Sequence, residues 1–181
     1  MEIHSERLLL RSWKEEDAND LVEGLNNFNV SKWLSDVPYP YTIEDAKKFI
    51  TYAQNLDSNS IALAIVLKEN NKVNGGTLIS SINTKNGTAG GGIWLNENYH
   101  GKGYGTEAFY MKIKYAFDEL HLRRMENGYF PGNQCSKRMQ EKLGFQPEGM
   151  RRKKYLCLAT NEYVDECITG LLKEEFVEIQ K

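Results

Sequence analysis

Long apolar runs are absent from this 181-residue chain. A membrane-spanning helix needs about 20 consecutive apolar residues. Residues 1–13, where a secretion signal would lie, instead alternate charged and apolar side chains, so the expected location is the cytoplasm. An excess of one charge is missing too. Lys and Arg number 23 against 25 Asp and Glu, spread along the sequence, which leaves no basic field to hold nucleic acid. Cysteine is scarce and odd in number: Cys135, Cys157 and Cys167 lack the close Cys or His neighbours of a zinc site. They read as reduced, buried thiols, and no metal ligands are expected. Repeats, low-complexity tracts and linkers are also absent, so residues 1–181 are expected to form one domain, as a monomer or a homodimer.

What is present is 40% hydrophobic content, enough for a core, arranged as alternating strand and helix patterns. Residues 6–13 read as a strand and 15–26 as a helix with Ala18, Leu21, Val22 and Leu25 on one face. A helical piece at 29–35 leads to Pro38 and Pro40, with Tyr39 and Tyr41 between, an aromatic loop suited to a substrate rim. Thr42 and Asp45 form a capping box for a helix over 42–56. Three β-rich runs, 60–68, 73–83 and 89–95, follow as an antiparallel meander with turns at 69–72 and Asn86-Gly87.

The spacing of Phe109, Ile113, Ala116, Phe117 and Leu120 predicts a long amphipathic helix over 104–120, packed on that sheet, with a strand at 123–130 behind it. A shorter helix over 133–143 would turn Cys135, Met139 and Leu143 inward and stop at Gly144 in a left-handed conformation. Phe145 opens another strand, 162–171 reads as a further one, and a charged helical end runs to Lys181. The class is α+β.

The chemistry concentrates in residues 94–108, where a strand ends, a turn carries Gly101, Gly103 and Gly105, and a helix begins. Alternate glycines permit positive φ and leave several N–H groups in one concavity, to which the helix adds unpaired N–H groups and its positive dipole end. That arrangement suits a pyrophosphate without a metal. A dinucleotide-binding turn needs two residues between its second and third glycines, where this one has a single Tyr104, and a Walker loop needs Ser or Thr after its lysine, where Lys102 is followed by Gly103. A tight turn that needs glycine for packing alone has the same appearance. Gly90, Gly91 and Gly92, inside an expected strand, suggest a bulge, a ligand approaching the backbone, or a flexible hairpin entry.

The run Tyr99-His100-Gly101-Lys102-Gly103-Tyr104-Gly105-Thr106-Glu107-Ala108 resembles the acetyl-coenzyme A loop of the GNAT superfamily of N-acetyltransferases, in the branch of Rim-type ribosomal-protein acetyltransferases. Asn133, Ser136, Arg138 and Glu141-Lys142-Leu143-Gly144-Phe145 match that branch's second motif, and the likeness extends from Glu6-Arg7-Leu8-Leu9-Leu10-Arg11 through Pro40-Tyr41-Thr42 to Asp165. The resemblance implies a strongly twisted, mostly antiparallel sheet of six to seven strands flanked by helices. Its fourth and fifth strands would splay apart around the pantetheine arm of acetyl-CoA. The implied activity is acetyl transfer to a primary amine, most simply a peptide or protein N-terminus. A small-molecule amine (polyamine, amino acid or aminoglycoside) is the alternative, and an acyl-CoA-sensing module without turnover is the rival of another class.

Carried over residue by residue, the resemblance assigns the cofactor to Trp94, Leu95, His100, Gly101, Lys102, Gly103, Tyr104, Gly105, Thr106 and Asn133, with a backbone N–H near Trp94 and Leu95 on the thioester oxygen. Ser136 is the expected catalytic acid at the departing thiolate, and a serine satisfying the first helical turn is the plain alternative. Asn133 equally suits a helix N-cap. Where many relatives carry a glutamate base this chain has Gly90; Glu97, His100, Glu107 and Asp36 remain as candidates, and none is assigned. Trp33, Tyr39 and Tyr41 could line the acceptor cleft or pack beneath the first helices. The cationic run Arg151-Arg152-Lys153-Lys154 beside such a cleft would repel a polyamine and favour an acidic peptide, although a solvated strand face would look the same.

Overall fold

The computed structural model describes residues 1–179. The elements run β1 (Glu2–His4), β2 (Leu8–Arg11), α1 (Ala18–Leu25), α2 (Phe28–Ser31), α3 (Ile43–Gln54), β3 (Ile61–Leu67), β4 (Lys72–Asn83), β5 (Thr88–Gly90), β6 (Ile93–Leu95), α4 (Tyr104–Asp118), β7 (Arg124–Tyr129), α5 (Gln134–Lys142), β8 (Gln146–Cys157) and β9 (Glu162–Leu172). The strands form one sheet in the order β1-β2-β3-β4-β5-β7-β9-β8, with β6 beside β4. Every pairing is antiparallel except β5 with β7.

Burial on both faces explains why β3 reads as a continuous apolar run. Ala62, Ala64 and Val66 meet Leu21 and Leu25 of α1 and Ala46 and Ile50 of α3, while Leu63, Ile65 and Leu67 meet Ala108 and Met111 of α4. The other half of the sheet closes over Phe109, Ile113 and Phe117, with Phe145 and Leu171 beneath. Thr42 caps α3 as its sequence requires, accepting from Asp45 N at 3.2 Å while Asp45 Oδ2 accepts from Thr42 N at 2.9 Å.

Among the described residues nine strands stand where six or seven are expected, for two local reasons. Ser5 turns the chain, its hydroxyl accepting from Leu8 N at 2.9 Å, so that β1 folds back on β2. The 89–95 run is cut in two, because Gly91 takes φ +111° and cannot continue a strand.

Two further expectations are corrected. Cys135 is exposed, not inward; Cys157 is buried and Cys167 half-buried, and all three are free thiols. The charged tail is a single 3-10 turn, Lys173–Glu175, followed by extended chain. Phe176 stacks on Tyr110, and Val177 N donates to Leu143 O at 3.1 Å, so docking on α4 and α5 overrides the helical pattern. Gln180 and Lys181, the last of that expected helix, lie outside the described residues.

The break at Gly91 also opens the sheet. β5 pairs with β7 at Thr88↔Arg124 and Ala89↔Met125, whereas β6 stays on β4 and β7 turns to β9. A gap therefore widens between β6 and β7, as the resemblance leads one to expect.

Candidate active site

A cavity of about 820 Å³ fills that gap. Of the residues expected at the site, Trp94, Leu95, His100, Gly101, Gly103, Gly105, Thr106, Asn133 and Ser136 line it. Lys102 and Tyr104 are not among its walls. Lys102 Nζ lies 5.6 Å from the Tyr99 ring, and Tyr104 carries the Arg7 guanidinium 4.4 Å from its ring centroid. Arg7 also donates to Lys102 O at 3.0 Å and to Glu107 at 2.7 Å, tying the N-terminal strands to the start of α4.

At the glycine turn, Gly101 has φ +74° and Gly103 φ +82°, the left-handed region that side chains disfavour. A Cβ at Gly101 would meet nothing within 4 Å, so the space in front of it is open. Gly103 is the N-cap of α4, whose first N–H groups have no partner within the helix. Arg138 and Lys142 of α5 line the same cavity, and Met139 between them lies 3.9 Å from where a Gly105 Cβ would sit. Open space, free N–H groups, a 15-residue helix dipole and two cations suit the phosphates of coenzyme A.

Strand alternation decides what β6 offers. Gly92 O accepts from Leu78 N at 3.1 Å and Asn96 N donates to Asn74 O at 2.8 Å, so residues 92, 94 and 96 bond toward β4. Ile93 and Leu95 therefore present their N–H and C=O groups to the gap. The Leu95 carbonyl accepts from His100 Nε2 at 2.9 Å, which leaves the Leu95 N–H facing the cavity. Trp94, whose N–H and C=O bond toward β4, offers neither group to the gap. Its indole fills the space above Gly24 and Gly76, where Cβ atoms would come within 2.7 Å of the ring.

Asn133 is the N-cap of α5, its Oδ1 accepting from Ser136 N at 3.2 Å. Ser136 Oγ accepts from Gln140 Nε2 at 3.0 Å, and the buried Gln140 Oε1 accepts from Thr169 Oγ1 at 2.5 Å. With its lone pair engaged by Gln140, the Ser136 hydroxyl keeps its proton free to donate into the cavity. Sequence spacing picks out Ser136; Gln140 and Thr169, which orient it across 29 residues, leave no local signal.

The four candidate bases fare poorly. Glu97 accepts from Asn27 at 2.6 Å and Asn29 at 3.1 Å, and the Asn27 hydrogen bond above all holds it below the usual carboxylate range. Glu107 is clamped by Ser5 Oγ at 2.7 Å and by Arg7. Asp36 accepts from Ser35 at 3.0 Å, and neither Glu107 nor Asp36 lines the cavity. His100 Nε2 carries the proton it donates to Leu95 O, so only Nδ1 remains. A Cβ at Gly90 would lie 3.3 Å from Glu126 O of β7, a tight contact that a shift of a few tenths of an ångström would relieve.

The opposite rim is formed by Asn29, Val30, Trp33, Leu34 and Ser35. It is fixed by Leu158 N donating to Ser35 O at 3.1 Å, and by the Cys157 thiol, 3.5 Å from Leu34 O. Trp33 reaches across to Gly132, 3.6 Å from its Cβ position. Tyr41 is buried in the core, its phenol pushed up to about 12 by that burial, and Tyr39 packs edge-on against Phe28; neither lines the cavity. The walls missed by sequence reasoning are Glu126 and Gly128 of β7, Tyr155 of β8 and Glu166 of β9. A glycine inside the strand pattern at 128 was the available signal.

Lys112 is also unforeseen. It is fully buried on α4 and donates to Gly91 O and, at 3.4 Å, to Leu78 O, bracing the two carbonyls of the bulge that opens the sheet. Burial lowers its pKa to about 7. Among the described residues no helix is long and apolar enough to cross a membrane, and no three His, Cys, Asp or Glu side chains are grouped to hold a metal.

The chain matches known proteins along most of its length. It is 31% identical over 176 residues to the uncharacterized N-acetyltransferase p20 of Bacillus licheniformis, covering 96% of this chain and 97% of that one. It is 28% identical over 153 residues to YdaF of Bacillus subtilis, named as a candidate ribosomal N-acetyltransferase, with 82% of each chain covered. The crystal structure of a GNAT-family acetyltransferase from Bacillus anthracis superimposes with a TM-score of 0.82 at 29% identity, over 97% of this chain and all of that one. Residues 7–146 match the acetyltransferase (GNAT) domain model. The chain belongs to the GNAT family of acetyltransferases, enzymes that take their acetyl group from acetyl-CoA.

Proposed function

We propose that residues 1–181 act as one cytoplasmic acetyltransferase domain whose acceptor is the N-terminal amine of a peptide or protein with acidic residues near its end. The observation that carries this reading is Arg151, which lines the cavity at the acceptor side and continues into Arg152, Lys153 and Lys154 along the exposed edge strand β8. Arg151 itself pairs with Glu166 at 3.1 Å, so the exposed Arg152, Lys153 and Lys154 that follow it are the cations that repel polyamines and aminoglycosides and attract an acidic chain. The relationship to YdaF points the same way. Free thiols at Cys135, Cys157 and Cys167 suit a reducing compartment.

Acetyl-CoA supplies an activated acetyl group as a thioester. The N–H groups of residues 101–105 and the start of α4 hold its pyrophosphate, with Arg138 and Lys142 adding charge. Leu95 N–H donates to the carbonyl oxygen as negative charge grows there. Ser136, held by Gln140, gives its hydroxyl proton to the sulfur. Asn133 fixes α5 and with it the position of Ser136.

The test is release of free thiol from acetyl-CoA with a panel of peptides, polyamines, amino acids and aminoglycosides. Acidic peptides with a free N-terminus should be the best acceptors and their N-acetylated forms inert. Turnover confined to polyamines or aminoglycosides would overturn the reading.

A further inference from the structure

Glu166 belongs to β9, and the register settles which face it occupies. Thr169 and Leu171 point to the helices, since Thr169 reaches Gln140 of α5 and Leu171 lies in the core with Phe109 and Phe145. β9 pairs with β7 without a bulge from Arg124↔Leu172 to Tyr129↔Cys167, so Glu166, Ile168 and Gly170 face the other way. Ser136 and Glu166 thus approach one cavity from opposite faces of the splayed half-sheet. A thiol can depart on the first side while an amine arrives on the second.

Gly128 makes room for this carboxylate, because a Cβ there would overlap Glu166 Oε1. The Gly128 carbonyl also lies 3.5 Å from Gln140 Nε2, the group that holds Ser136. The serine and the glutamate are therefore set against the same residue. Glu166 is only 12% exposed and Arg151 Nη1 lies 3.1 Å from its Oε2, which leaves Oε1 without a cationic partner. The other cavity-lining carboxylate, Glu126, is 53% exposed and turned to Arg124. Charged or titratable groups near Glu166 include Arg151 and Tyr155 of β8 and Glu126 of β7, with Asp36 also acting on Tyr155; Tyr155 is raised by burial and, next, by the Glu166 carboxylate.

We propose that Glu166 is the acceptor-amine residue of this enzyme: it receives the incoming ammonium and takes its proton, in the role that Gly90 cannot fill. This rests on the acetyltransferase assignment and not on the acceptor being a peptide. The balance is complete. One proton passes from ammonium nitrogen to solvent through Glu166, and the nitrogen–carbon bond forms. A second N–H proton moves to a Glu166 oxygen, directly or through one water. The carbon–sulfur bond breaks with its electron pair on sulfur, which takes the Ser136 proton. Glu166 then returns its proton to solvent, and Ser136 regains one.

Glu166→Gln keeps the shape and removes the base. Turnover should fall about 10²-fold or more with every amine the wild type uses, the size expected of a general base. Its acidic limb should move to higher pH, following the free amine alone. Glu166→Asp should recover part of the rate. A readout independent of turnover is calorimetric binding of a free-amine peptide, or of spermidine if peptides are inert, to protein saturated with coenzyme A: the Gln variant should bind it at least tenfold more weakly while coenzyme A itself binds unchanged. An unshifted pH profile with turnover within about twofold would overturn the proposal, as would a shift produced by Glu126→Gln instead. Turnover of small amines only, with the Glu166 effect intact, would remove the peptide reading and leave this one standing. A wild type that acetylates no amine in the panel would remove both.

Discussion

A Cβ at Gly91 would overlap the Leu78 carbonyl, whereas at Gly101, on the far side of β6, it would meet nothing within 4 Å. Both glycines hold positive φ, +111° and +74°. At Gly91 the backbone must come close to its own sheet, and Lys112 locks the resulting bulge from below. At Gly101 the space that a side chain would take is open, and at Gly103 a Cβ would stand 3.4 Å from Arg7 Nη2. The first cluster makes the gap in the sheet, and the second lines the end of it that suits phosphates. Substitutions should separate the two, costing stability in one place and binding or turnover in the other.

The largest effect is expected at Gly91→Val, where a disfavoured φ and a backbone overlap combine to cost on the order of 3 kcal/mol or more. Urea denaturation would measure it, and a loss below about 1 kcal/mol would mean that the bulge can move aside. Ser136→Ala is the opposite kind of change. Turnover should fall on the order of 10²-fold, about 2.7 kcal/mol in the barrier, with coenzyme A affinity unchanged. A thiol is a fair leaving group near neutrality, which keeps this loss at the lower end for a general acid. If turnover holds within a factor of about two, Ser136 serves the helix start alone.

Lys112 ties the comparison to pH. Its folded pKa, about 7, lies below the ordinary 10.5, so between those values the unfolded chain binds more protons. Stability should therefore rise with pH across that window, by up to about 1.4 kcal/mol per pH unit from this one group. The contribution is complete above the unfolded value and lost as pH falls through the folded one. Lys112→Met should flatten the slope; an unchanged slope in denaturant midpoints from pH 7 to 10 would show that the ammonium is not desolvated. The smallest effect is expected at Thr169→Val, which leaves Gln140 Oε1 buried without a donor, costs about 1 kcal/mol and lowers turnover several-fold by loosening Ser136. Stability lost with turnover intact would mean that Gln140 does not need its partner to hold the serine.

Local patterns made much of this legible. The Thr42 capping box, the two-faced apolar β3, the amphipathic α4 and the glycine turn each follow from neighbours in sequence, and so does Asn133 as a cap for α5. What escaped depends on distant partners. Lys112 looks like one more solvated lysine until the Gly91 and Leu78 carbonyls are found above it. Glu166 is one of many carboxylates until β9 pairs with β7 and Gly128 vacates the space beside it. The tail reads as helix because its docking on Tyr110 and Leu143 lies far away in sequence. Tyr41 reads equally as rim or core, and only packing decides for core.

The central claim is that the glycine turn, with the start of α4, holds the pyrophosphate of coenzyme A. Thermal unfolding of wild type and Gly103→Val, each with and without coenzyme A, tests it without reference to any acceptor. At about 100 times its Kd the ligand should add about 2.7 kcal/mol to the wild type, seen as a clear rise in Tm. The variant's side chain would come against Arg7 and crowd the N–H groups of the turn. It should fold, unfold a few degrees lower, and show no rise. An equal rise in both proteins would place the cofactor elsewhere and contradict the account.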